Sequence, residues 1–244
     1  MSEIVKVEGR AKKVSAIPGG YKPLKRFVTS NKQGQQLGPK GQATRLRIVE
    51  AAEKLLLTQS PVDLTAVAIA KAANTSPASF YMYFEDIREV LFALSDIATQ
   101  EMDDVLGILE DEWREDNLDS WANSLVDAFY AVWDRHREVL RYRNMESDRG
   151  DPAFDKLRNE GSFPFIEALA SRIVAACAAG QMPSRGDARA LATVLHAGIE
   201  RLAAVDPEVT QGMLGVKRLK AAQARAIVCV IVSTRLSFTA LPKD

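Results

Sequence analysis

Residues 64–84 read LTAVAIAKAANTSPASFYMYF, and this stretch decides the fold. Thr65 can cap a short helix over 66–73, because its hydroxyl can accept from an N–H group of the first turn. Asn74 tolerates positive φ better than most residues, which suits a tight reversal after that helix. Ser76-Pro77 then joins an N-cap to a proline at the first helical position, a specific start signal. A third helix is predicted from Pro77 to about Phe84. Phe80 and Phe84 are four apart, so they share one face and can fix it in a core. Two short helices across a tight turn make a helix-turn-helix.

Working outward, Leu46, Val49, Ala52 and Leu56 recur at helical spacing from Ala43, and Ser60-Pro61 ends that first helix. Downstream, helical patterns cover 87–114, 118–135, 138–146, 152–179, 187–204 and 216–238. Pro164 is expected to kink or restart the fourth of these. No alternating strand pattern, Asn-Gly hairpin or internal repeat is evident. The predicted fold is all-α with about nine helices. It has a flexible basic arm over 1–41, a three-helix domain over 42–90 and a larger helical domain over 91–244. The arm is read from Pro18-Gly19-Gly20, Pro23, Gly34 and Gly38-Pro39, with few large apolar residues. An inert leader is the other reading of that segment.

The chain of 244 residues is 47% apolar and 26% charged, which excludes a collagenous or wholly disordered protein. Its net charge of zero, 32 basic against 32 acidic side chains, is a cancellation. Residues 1–47 hold eleven Lys and Arg and two Glu, a charge of +9; the other 197 hold 21 basic and 30 acidic, a charge of −9. Such asymmetry points to an arm that meets a polyanion. Cys177 and Cys229 are too few for a disulfide framework, so a reducing compartment is expected. The longest strongly apolar run, 226–232, falls far short of the roughly 20 residues of a membrane span. A soluble cytoplasmic protein without a membrane partner is expected.

The stretches Arg45-Leu46-Arg47-Ile48-Val49-Glu50-Ala51-Ala52, Leu64 to Ala70 and Ser76 to Phe84 together resemble the N-terminal DNA-binding domain of the TetR family of transcriptional regulators. The resemblance is strong over about residues 43–91 and architectural beyond. It implies that Thr65, Ser79, Tyr81 and Tyr83 meet phosphates, while Pro77, Ala78 and Met82 face or border the bases. Hydroxyl-to-phosphate contacts set register without reading sequence. Pro77, Ala78 and Met82 offer no side-chain hydrogen bonds, so direct base readout from this helix is thin. Three departures stand out. Asn74 replaces the usual turn glycine. Ile87 replaces a frequent lysine, leaving Arg88 as the nearest cation for its phosphate contact. Ala66 stands where some members carry a base-reading arginine. Discrimination then falls to Arg45 or Arg47, the arm, or DNA shape. The arm suits backbone attraction or minor-groove insertion.

Trp113, Trp121, Phe129, Trp133, Tyr142 and Phe165 could line a pocket for a largely apolar small-molecule effector, with core filling as the alternative for each. The resemblance implies an effector pocket in this region, coupled to DNA through the helix that begins near Ile87. Arg135, Arg137, Arg141, Arg143 and Arg149 read as a solvated, paired helix face, or as a collar for an anionic ligand. The last two long helices carry the stripes Leu191, Val194, Leu195, Gly198, Leu202 and Ile227, Val230, Ile231, Thr234, Phe238. The resemblance implies that they pair as a four-helix bundle, giving a homodimer on a palindromic double-stranded DNA operator. There is no H-E-x-x-H motif, Walker loop or dinucleotide fingerprint, so no enzyme, cofactor or metal site is expected. His196 reads as a packed core histidine and the cysteines as inert. The expected function is a ligand-responsive transcriptional regulator, in the sense of a repressor. A sequence-tolerant DNA-binding protein and a helical enzyme or carrier are the alternatives.

Overall fold

The structure is a computed structural model and describes residues 36–111, 116–177 and 184–236. The chain divides between Glu85 and Asp86 into two compact units. Ten α-helices and one 3-10 turn, and no β-strand, occur among the described residues.

The first unit holds α1 (Pro39–Leu56), the 3-10 turn (Pro61–Asp63), α2 (Ala66–Ala72) and α3 (Pro77–Tyr83). Helix α1 starts four residues before the expected Ala43, because Gly38 is extended and Pro39 takes the first helical position. Its buried face is Ile48, Val49, Ala51, Ala52 and Leu56. The Thr65 side chain accepts from the Ala68 N–H at 3.1 Å, and the Ser76 side chain accepts from the Ser79 N–H at 3.1 Å. Between the two helices Asn74 sits at φ 50. The Thr75 N–H reaches Ala70 O at 2.9 Å and the Asn74 N–H reaches Lys71 O at 3.2 Å, a Schellman closure. Phe80 and Phe84 are fully buried with ring centroids 5.8 Å apart. Ile48, Ala52, Ile69 and Ala70 of the same unit are buried as well, and the inward pair sets which residues of α3 face outward.

The second unit holds α4 (Ile87–Gln100), α5 (Met102–Glu110), α6 (Leu118–Asp148), α7 (Pro152–Ala176), α8 (Arg185–Ala203), α9 (Pro207–Met213) and α10 (Val216–Leu236). The pattern expected to be one helix over 87–114 divides at Glu101 into α4 and α5. The two patterns over 118–135 and 138–146 form one helix, with non-helical geometry at His136 (φ −118, ψ 19) where the break was expected. His136 Nε2 lies 3.2 Å from Glu101 Oε2, so the kink of α6 is held against the α4–α5 junction. Helix α7 runs through Pro164 without restarting. Pro164 and Glu160, the residue whose carbonyl loses its donor, are both exposed, so water can satisfy that carbonyl. Helix α9 was not expected. Asp206-Pro207 starts it as Ser76-Pro77 starts α3: the Asp206 carboxylate accepts from the Glu208 N–H at 2.8 Å. Among the described residues no helix is long and apolar enough to cross a membrane.

Candidate nucleic-acid interface

Helix α3 presents the surface expected to meet DNA. Pro77 and Ala78 are exposed, Ser79 and Tyr83 are half-buried, and Tyr81 and Met82 are 53% and 65% exposed. The Ser76 hydroxyl donates to Ser79 Oγ at 3.0 Å, so the serine pair is already ordered at the helix start. Thr65 is exposed at the start of α2. Its oxygen accepts the capping N–H, which leaves the hydroxyl proton free in direction to meet a phosphate. Arg47 is exposed on α1, where its Nη2 donates to Thr44 Oγ1 at 3.1 Å.

Two cations are placed differently from expectation. Arg45 is only 6% exposed, and its guanidinium carbon lies 4.6 Å from the centroid of the Phe84 ring. It packs under the helix-turn-helix and does not face out to read bases; the spacing that puts Ile48, Val49 and Ala52 inward puts it inward too. Arg88 is on α4, where it pairs with Asp151 and lies 5.0 Å over the Phe154 ring. The carboxylate offsets its charge and weakens its pull on a phosphate.

Two outward positions escaped the sequence reading. Ala66 is buried, so the outward position at the start of α2 is Val67, which is 63% exposed. Lys71, one turn on, is exposed as well. The signal was present: Ala66, Ile69, Ala70 and Ala73 form the inward stripe, and Val67 and Lys71 lie on its far side. Of the basic arm expected over 1–41, residues 1–35 lie outside the described residues, and residues 39–41 already belong to α1.

The aromatic group expected around the effector divides. Trp121, Phe129, Trp133 and Phe165 are all buried in one core layer. The rings of Phe129 and Phe165 meet edge to face at 5.6 Å, and Trp121 Nε1 donates to Ile108 O at 2.9 Å. Tyr142 is only half-buried and packs on Phe154 at 5.6 Å, outside that layer. Trp113 lies outside the described residues. His196 is buried against both phenylalanines, 5.8 Å from Phe129 and 5.2 Å from Phe165. Burial holds its pKa below the ordinary value, against an opposing pull from Glu200.

The arginine series also divides. Arg135 pairs with Glu101 at 2.6 Å, Arg141 with Glu138 at 3.7 Å, Arg149 with Glu146 at 3.0 Å, and Arg137 with Asp134. Arg137 also donates to Val205 O at 2.7 Å, past the end of α8. Arg143 is buried: it donates to Thr99 Oγ1 on α4 and to Glu200 Oε1 on α8, both at 3.3 Å. Burial pushes it down to about 10, against the opposing Glu200 carboxylate. Arg158 meets the other oxygen of Glu200 at 3.5 Å. A cleft of about 860 Å³ opens above this network, with Asn144, Arg158, Glu200 and Arg201 in its wall. In that wall Arg158 also pairs with Asp148 at 2.7 Å, while Arg141 and Arg149, which line it too, pair with Glu138 and Glu146 outside it. Among the described residues no group of three His, Cys, Asp or Glu could hold a metal ion.

The two stripes expected at a subunit interface have different fates. On α8, Val194 is 72% exposed, Gly198 is exposed, and Leu191, Leu195 and Leu202 are half-buried. On α10, Ile227, Ile231 and Thr234 are buried in the chain's own core, Val230 is half-buried, and Phe238 lies outside the described residues. The outward row of α10 is instead Ala222, Ala226, Cys229 and Ser233, all small. Period alone finds an apolar stripe; it cannot say which neighbour covers it.

Comparison with known proteins adds to this geometry. The family model described as bacterial regulatory proteins of the tetR family matches residues 48–94, and that described as the tetracyclin repressor-like C-terminal domain matches 107–235. The HTH-type transcriptional regulator EthR of Mycobacterium tuberculosis is 24% identical over an alignment of 186 positions that covers 65% of this chain and 86% of that protein. Two solved structures share the fold. The fatty acid degradation regulator FadR of Bacillus halodurans has a TM-score of 0.57 at 14% identity, over 81% of this chain and 97% of its own. Thermus thermophilus FadR, a TetR-family repressor in complex with lauroyl-CoA, has a TM-score of 0.50 at 20% identity, over 82% of this chain and 99% of its own.

Proposed function

The chain belongs to the tetR family of bacterial regulatory proteins, and from that premise we propose that it is a homodimeric repressor controlled by a small-molecule effector. It is a helix-turn-helix transcriptional regulator that binds DNA. In this reading α3 enters the major groove of each half of a palindromic operator. Thr65, Ser79, Tyr81 and Tyr83 hold phosphates, Arg47 adds charge from α1, and Pro77, Ala78 and Met82 border the bases. The observation that carries it is the pair of caps around Asn74. They fix α3 with Phe80 and Phe84 inward, which turns Tyr81 and Met82 out.

The effector site in this reading is the layer of Trp121, Phe129, Trp133 and Phe165. A ligand there has to part side chains that otherwise pack on one another, so it favours one arrangement of the helices over another. The FadR fold relative bound to lauroyl-CoA makes a long acyl group a sensible first probe. The dimer uses the outward faces of α8 and α10, where Val194, Gly198, Ala222 and Ala226 let two helices approach closely.

The test is a salt titration of binding to an enriched duplex and to random duplexes. A regulator prefers the enriched duplex by ~10³-fold or more. Equal affinities sink this reading in favour of sequence-tolerant binding. Tyr81→Ala with Tyr83→Ala, at exposed and half-buried positions, should weaken both affinities; undisturbed binding rejects α3 as the DNA-contacting helix.

A further inference from the structure

The outward faces of α2 and α3 carry hydrogen-bonding groups at Lys71 and Tyr81, and between them side chains that offer a base almost none. Val67 is left outward on α2 by the burial of Ala66, Ile69 and Ala70, and Met82 is left outward on α3 by the burial of Phe80 and Phe84. Pro77 and Ala78 are exposed beside Met82. None of these four side chains has a donor, and the Met82 thioether is at most a weak acceptor. The small hydroxyls nearby are engaged at the helix starts: Thr65 and Ser76 each accept a backbone N–H, and Ser76 donates to Ser79.

The major groove presents one apolar feature, the C5 methyl group of thymine. An aliphatic side chain pressed on guanine O6, cytosine N4 or adenine N6 removes water from a polar atom and returns no hydrogen bond, which is unfavourable. Pressed on a thymine methyl, the same side chain buries apolar area on both partners. An aliphatic contact therefore selects for thymine twice, by attraction to it and by penalty against the others.

We infer that Val67 and Met82 are specificity-determining residues that read thymine methyl groups in the operator. The inference rests on the placement of α3 in the major groove proposed above. It assigns to α2 a base-reading role through a valine, and it replaces hydrogen-bonded readout with methyl recognition at these positions.

The probe is a duplex that the full chain enriches from a random pool, resynthesised with deoxyuridine in place of thymidine within the half-sites. That exchange deletes methyl groups and keeps every hydrogen-bonding group. Affinity should fall about fourfold per contacted methyl, and ~15-fold for a symmetric pair. Val67→Ala and Met82→Ala, at exposed positions that leave the core intact, should each bring the thymidine-to-deoxyuridine ratio closer to one. A ratio of one for the unaltered chain, with preference over random duplexes retained, overturns the inference and leaves the operator reading standing. A ratio that both variants keep in full overturns the assignment to Val67 and Met82. Loss of any preference for the enriched duplex overturns the operator reading, and the inference with it.

Discussion

Gly198→Leu separates a dimer face from a solvent face, because the two give opposite outcomes. Gly198 lies inside α8, and a Cβ built there meets nothing within 4 Å. Within one chain the Cβ of a leucine thus meets open space, and the substitution removes the helix-interior penalty of glycine, roughly 0.6–1 kcal/mol. For a chain of this size that raises Tm by about 2 °C. A partner helix seated on small residues changes the sign. Helices packed this way lie about 8 Å apart, which leaves no room for the added side chain. Overpacking costs about 1–3 kcal/mol per site. A two-fold axis applies it twice, so the dimer weakens by roughly 2–6 kcal/mol, or ~30-fold to ~10⁴-fold in Kd. Sedimentation equilibrium across a concentration series reads this directly, with circular dichroism to confirm that the helices persist. The expected variant is a folded monomer with weak operator binding. A variant that stays dimeric at low micromolar concentration and melts higher than the parent would refute the α8 interface.

Three further outcomes follow from named contacts. Asn74→Val places a β-branched residue at φ 50; it should cost about 1–3 kcal/mol in urea unfolding, while Asn74→Gly should be tolerated. Glu200→Gln leaves the buried Arg143 guanidinium without its carboxylate. Chemical denaturation should show a loss of about 3–5 kcal/mol, and a combined Arg143→Met, Glu200→Leu chain should lose less. Burial holds the His196 imidazole neutral, with its pKa below the ordinary histidine value. The unfolded chain therefore takes up its proton first, and stability should be level above about pH 6.5 and fall as pH drops below it, by at most ~1.4 kcal/mol per unit. His196→Gln should remove that part of the slope in melts between pH 7 and pH 5; an unchanged slope would assign it to other groups.

Much of the DNA-binding unit was legible because its signals are local. A cap, a turn residue and a proline act within four residues of themselves, so Thr65, Asn74 and Ser76-Pro77 could be read in place, and each has the predicted role. Asp206-Pro207 carried the same signal and was passed over among longer apolar patterns. Val67 was not singled out, although the inward stripe of α2 leaves it on the outward side. The arginine series shows where local reading stops. Arg141 and Arg143 sit two residues apart in a similar setting, yet one is exposed beside Glu138 and the other is buried against Glu200. Only the packing of α4 and α8 against α6 separates them.

The sequence alone determined that the chain is helical, that α2 and α3 make a helix-turn-helix, and that Phe80 and Phe84 face inward. Those follow from period, capping and backbone φ, which depend on neighbours in the chain. The tertiary structure decided which apolar stripe of α8 and α10 the chain covers itself, and that the aromatic residues form a packed layer. It also decided that Arg143 is an interior cation. Those depend on which surfaces meet across tens of residues of chain, and a 3.6-residue period carries no information about the identity of the partner.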